Sequence, residues 1–102
     1  MRNVLEIDAE RLMNYIYFYH EDRSKVFDKI INLIFRGKII PDIIIEVFKS
    51  DIKEIPKGYI TNYDSLNKKL QTKIDKNFDR YYIKDNNTFE RIGSFIYIYV
   101  DI

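Results

Sequence analysis

The clearest alternation in the chain runs through Phe95-Ile96-Tyr97-Ile98-Tyr99-Val100-Asp101-Ile102. In extended backbone, Ile96, Ile98, Val100 and Ile102 share one face, and Phe95, Tyr97 and Tyr99 share the other. Aromatic and β-branched residues throughout make this the strongest strand signal present. Because both faces are largely apolar, the pattern predicts an inner strand with cover on each side rather than an edge. Upstream, the apolar period lengthens to that of a helix. Ala9, Leu12, Met13, Ile16, Tyr17 and His20 recur at i, i+3, i+4 and i+7, behind Asp8 as a cap and Glu10 in the first turn. Before them, Val4, Leu5 and Ile7 read as a short strand or a lead-in. After the polar break at Glu21 to Ser24, a second helix over about 24–36 is expected to bury Val26, Phe27, Ile30, Ile31, Leu33 and Ile34. Gly37 is its stop.

Residues 39–55 fit two templates. As a strand, Ile43, Ile45 and Val47 share a face. As a helix, Pro41 occupies the first turn and Ile44, Val47, Phe48, Ile52 and Ile55 recur at helical spacing. The helix is favoured because the pattern persists for longer than a strand usually runs. Pro56-Lys57-Gly58 breaks the chain, and a helix over about 63–78 follows with Tyr63, Leu66, Leu70, Ile74 and Phe78 as its apolar stripe. Strands over 80–84 and 88–92, turning at Asp85-Asn86-Asn87, lead through Gly93-Ser94 into the last strand. The expected architecture is a single α+β domain over residues 1–102, with about four helices followed by a C-terminal three-stranded antiparallel β-meander.

Composition sharpens this picture at a few points. The 102 residues are 46% hydrophobic and 32% charged, enough for one core and a wet surface, with a formal charge of +1. No cysteine is present, which removes disulfides and thiolate chemistry and fits a reducing compartment. The first residues lack the apolar core of a signal peptide, and the longest apolar run falls far short of the ~20 residues of a membrane span. A cytoplasmic protein with no membrane attachment is expected, in a host cell if the source is viral. Ile, Lys, Tyr and Asn, all with A/T-rich codons, account for 19, 11, 9 and 8 residues. That bias points to an AT-rich bacterium, phage or virus.

Catalytic signatures are weak. His20 is the single histidine and reads as a helix-end residue before it reads as a general base. Asp42, Glu46 and Lys49 have the wrong spacing for a metal-dependent nuclease strand and read as a solvated helical stripe. Glu6, Asp8 and Glu10 straddle a strand–helix boundary where Asp8 serves as a cap. No metal, cofactor or catalytic residue is expected, and with 3 glycines a phosphate-binding loop has little material.

Two surface features remain. Tyrosine offers a rigid ring with a polar tip and is enriched at interfaces. Tyr15, Phe18, Tyr81, Tyr97 and Tyr99 are therefore the candidate protein-binding residues. Lys69, Lys73, Lys76 and Arg80, spaced 4, 3 and 4 apart, form a candidate phosphate-tracking face on one helix. The reading favoured is a non-enzymatic module that binds another protein, or itself as a homodimer, of the kind phages, viruses and mobile elements carry as inhibitors of host complexes. The alternative is a small winged-helix-like nucleic-acid binder using the basic helix over 63–80; a small nuclease or toxin acting through His20 comes third.

Overall fold

A computed structural model describes residues 3–19 and 23–101. His20 and Glu21 therefore lie outside the described residues. The order of elements is β1 (Val4–Asp8), α1 (Ala9–Tyr19), α2 (Arg23–Phe35), α3 (Ile40–Ser50), β2 (Glu54–Pro56), α4 (Lys68–Lys76), β3 (Arg80–Tyr82), β4 (Thr88–Ile92) and β5 (Phe95–Tyr99). Two short 3₁₀ turns, Lys57–Tyr59 and Tyr63–Ser65, join β2 to α4. The protein is α+β with antiparallel strands, but the strands do not form a C-terminal meander.

They form two sheets, β1-β5-β4 and β2-β3. The last strand is central, as its pattern predicts, and its first partner is the first strand of the chain. Leu5 pairs with Ile98 and Ile7 with Ile96 on one side, while Phe89 and Arg91 oppose the same two residues on the other. Ile96, Ile98 and Val100 are buried; the opposite face, Phe95, Tyr97 and Tyr99, stays half open. Cover on both faces is thus a prediction the structure corrects. The free edge of β1 is closed by Asn62, whose amide accepts from the Glu6 N–H at 2.9 Å and donates to the Val4 carbonyl at 2.8 Å. Thr61 N–H continues this pairing to the Glu6 carbonyl at 2.8 Å.

The strand expected to pair with β4 goes elsewhere. Phe78 and Asp79 both adopt left-handed backbone, each with φ 58°, and reverse the chain as it leaves α4. Arg80–Tyr82 then returns along β2, with Ile55 opposite Tyr81. The turn at Asp85-Asn86-Asn87 does not close a hairpin. Asn87 Oδ1 accepts from the Lys84 N–H at 2.8 Å and the Tyr81 hydroxyl at 2.9 Å, steering the chain from one sheet to the other. Phe78 consequently leaves the apolar stripe and is 88% exposed. The helix expected over 63–78 is shortened to α4, because Asn67 caps it through the Lys69 N–H at 2.9 Å.

The other helix boundaries follow local chemistry. Asp8 Oδ1 accepts from the Glu10 and Arg11 N–H groups at 3.0 and 3.3 Å, capping α1. Gly37, with φ 81°, ends α2: its N–H reaches the Ile34 carbonyl and that of Lys38 reaches Leu33, the paired bonds of a Schellman turn. Residues 40–50 are helical, with Pro41 in the first turn.

α1 and α3 lie against the sheet, and α2 packs chiefly on α1 and α3. One core runs through both sheets and all four helices, from Leu5 and Ile98 through Phe48 to Ile55 and Ile74. The helical layer thus leaves α2 as the outermost element. No helix among the described residues is long and apolar enough to cross a membrane.

Candidate docking surface

The residues of α2 separate into two adjacent stripes. Val26, Ile30 and Leu33, at i, i+4 and i+7, are buried against the other helices. Phe27, Ile31 and Ile34 repeat the same spacing one residue later, about 100° round the helix; Phe27 and Ile34 are exposed and Ile31 is half-buried. Phe27 is 44% exposed, Ile34 47% and Phe35 86%. Phe27 and Ile34 were expected to be core. Apolar periodicity marks an arc wider than two neighbouring helices can cover, so part of it remains uncovered.

The stripe is bounded by a depression at each end. Near the N-terminus of α2, a depression of about 360 Å³ is lined by Tyr17, Ser24, Phe27 and Asp28. Tyr17 meets Phe27 edge to face, with centroids 5.4 Å apart. At the other end, a shallow apolar hollow of about 500 Å³ is lined by Ile34, Ile39, Ile40 and Pro41, with Glu10 and Lys38 at its rim. Phe18, on the last turn of α1, is 68% exposed.

A polar clamp sets the position of α2. Lys29 reaches from α2 to Asp51 Oδ2 at 3.1 Å and also to the Ser50 hydroxyl, and Lys25 approaches Asp51 at 3.7 Å. Ser50 donates to the same carboxylate at 2.6 Å. That hydroxyl bond, with Lys29 behind it and burial opposing, holds the Asp51 carboxyl below its ordinary range. An acid closing the C-terminus of α3 opposes the helix dipole, and the two lysines offset this.

The tyrosines singled out from sequence are distributed differently. Tyr15 is half-buried, its ring 4.8 Å from that of Tyr59. Tyr81 is buried, and that burial pushes its phenol up. Tyr97 and Tyr99 do share the outer face of β5, but their tips are tied down. Tyr97 donates to Glu6 Oε2 at 2.9 Å and Tyr99 to Glu90 Oε2 at 2.6 Å. Of the five residues, Phe18 alone stands at the helical layer's margin with a large exposed apolar ring.

The basic stripe does not hold together as one face. Lys69, Lys73 and Lys76 lie on α4, but Arg80 is on β3. Arg80 Nη1 sits 3.3 Å from Glu54 Oε1, close enough for charge attraction though not aligned as a hydrogen bond. Glu6 is engaged by Thr61 and Tyr97, and no group of three metal-ligating side chains occurs among the described residues.

No protein-family model, curated protein or solved structure matches the chain, so the reading of these surfaces rests on its own residues.

Proposed function

We propose that this chain is a non-enzymatic protein-interaction module and that the outer face of α2 is its docking surface. The observation that carries the reading is the second apolar stripe, Phe27-Ile31-Ile34-Phe35, in which Phe27, Ile34 and Phe35 are exposed and Ile31 is half-buried among the described residues. Isolated exposed apolar residues are ordinary; a row of them along one helix, bounded by two hollows, is the pattern of a helix-docking site.

A second copy is the occupant that the stripe favours. Phe27, Ile31 and Phe35 read the same in both directions, aromatic–isoleucine–aromatic at equal spacing. A two-fold axis through Ile31 would set two α2 helices antiparallel, with Phe27 opposite Phe35 of the partner subunit, as an isologous interface requires. A helix of 13 residues is about 20 Å long, so the contact is small and the affinity modest. A host protein, bound as a phage or viral inhibitor binds its target, would use the same stripe.

Sedimentation equilibrium over a wide concentration range tests this. A reversible dimer is expected, and Phe35→Asp with Ile34→Asp should weaken it by at least about tenfold while leaving a folded monomer. A monomer at every concentration, or a dimer unaffected by the double variant, would overturn the homodimer.

A further inference from the structure

A second site lies beside the end of α3, where the segment joining β3 to β4 passes, and includes no residue of α2. A cleft of about 260 Å³ is lined by Phe48, Ile83 and Phe89, by Lys49, Lys53 and Lys84, and by Asp85 and Asn87. Its floor is apolar and stiff: the rings of Phe48 and Phe89 stack at 6.2 Å and 23°. Its rim is basic. Lys53 pairs with Asp85 at 3.6 Å and donates to the Lys49 carbonyl at 3.1 Å. Neither Lys49 nor Lys84 has a carboxylate partner among the described residues. Across the rim, α4 brings Lys73 beside Lys84, and that like-charge contact, with burial adding to it, holds the Lys73 ammonium below the ordinary lysine range.

Lys49, Lys53 and Lys84 set three ammonium groups against the single carboxylate of Asp85 around the cleft, with Lys73 beside Lys84, and an anion placed among them would offset that excess of positive charge. A simple inorganic anion would leave the aromatic floor unused. The volume is just below the range of about 300–1,000 Å³ usual for small-molecule pockets, so it suits one ring and one phosphate rather than a larger ligand. From the basic rim of Lys49, Lys53 and Lys84, with Lys73 beside it, over the Phe48–Phe89 floor, we infer that this cleft binds a nucleoside phosphate, free or as one unit of a single strand. The phosphate is held by the lysines, and the base lies against the half-buried ring of Phe89, which is the more accessible of the two. The site replaces the row of cations along one helix with a cluster drawn from three elements, in which Lys73 alone belongs to both.

Amide chemical-shift titration of the whole chain at low salt tests the site, with adenosine monophosphate, inorganic phosphate and a short oligothymidylate strand as probes. Shifts centred on residues 48–53 and 83–89 are expected with the nucleotide or the strand. Response to the nucleotide identifies a free ligand; response to the strand alone, weakening as salt rises, identifies a single-strand unit. Lys49→Gln with Lys84→Gln should weaken binding by about tenfold or more with the remaining spectrum unchanged. Phe89→Leu, which keeps every charge, should weaken it by at least about fivefold. Absence of shifts with both nucleotide and strand, inorganic phosphate binding as tightly as the nucleotide, or indifference to the lysine variants would each overturn the assignment. Because these residues lie off α2, either outcome leaves the dimer experiment independent.

Discussion

The outer face of β5 and the outer face of α2 are both aromatic and both partly exposed, yet they are chemically different surfaces. On β5, Tyr97 and Tyr99 direct their hydroxyls to Glu6 and Glu90 on the flanking strands, so each ring is anchored and its tip is satisfied within the chain. Phe27, Ile31, Ile34 and Phe35 have no polar tip to anchor. Water against them is replaced at no hydrogen-bonding cost, whereas a partner on β5 must compete with carboxylates already in place. Counting aromatic residues marks both faces; asking what each side chain already does separates them.

The largest contrast is between two isoleucines. Ile98→Ala at the centre of β5 opens a cavity under α3 and should cost about 2–5 kcal/mol by urea denaturation. Ile34→Ala on α2 should move monomer stability by no more than about 0.5 kcal/mol. Similar costs at the two positions would mean that α2 is covered in solution even as a monomer.

A middle-sized effect concerns what holds α2 in place. Asp51→Asn removes the charge that Lys25 and Lys29 grip and should cost about 1–2 kcal/mol at neutral pH. Its pH dependence has a definite sign. The folded carboxyl lies below its ordinary value, so between the two values the unfolded chain binds more protons and stability rises with pH. This contribution is complete above about pH 4 and is lost as pH falls through the folded value. Asp51→Asn should therefore flatten the acid limb of the urea midpoint plotted against pH. An unchanged limb would show that the clamp contributes nothing.

The smallest effect is on the sheet face. The bond to Glu90 raises the Tyr99 phenol above its ordinary range, so Glu90→Gln should bring its ultraviolet titration down while leaving the urea midpoint in place. If the titration does not move, the tyrosine tips are free and β5 becomes a second docking face.

Much of the fold was legible from pattern. The central strand, the Asp8 cap, the Gly37 stop and the choice of helix for residues 40–50 each rest on local chemistry that tertiary structure did not override. The split into two sheets was not legible. β2 is a three-residue strand ending in Pro56, too short for its alternation to register, and the left-handed pair Phe78-Asp79 that delivers β3 to it contains no glycine to announce a reversal. The α2 surface was half legible. Its apolar arc is evident in sequence, but which stripe faces inward depends on where α1 and α3 sit. The lysine cleft was hidden for a simpler reason: Lys49, Lys73 and Lys84 come from separate elements, and no helical spacing connects them.

The pairing of β5 with β1 also bears on how the protein is made. The central ladder joins Val4–Asp8 to Phe95–Tyr99, so everything through Tyr99 must be synthesised before the sheet can close. Closing so long a loop is entropically costly and slow compared with forming the α1–α3 layer. On the ribosome, those helices would emerge first, with the apolar sides meant for β5 still bare. A nascent chain stalled before Phe95 would be a substrate for chaperones rather than a folded intermediate.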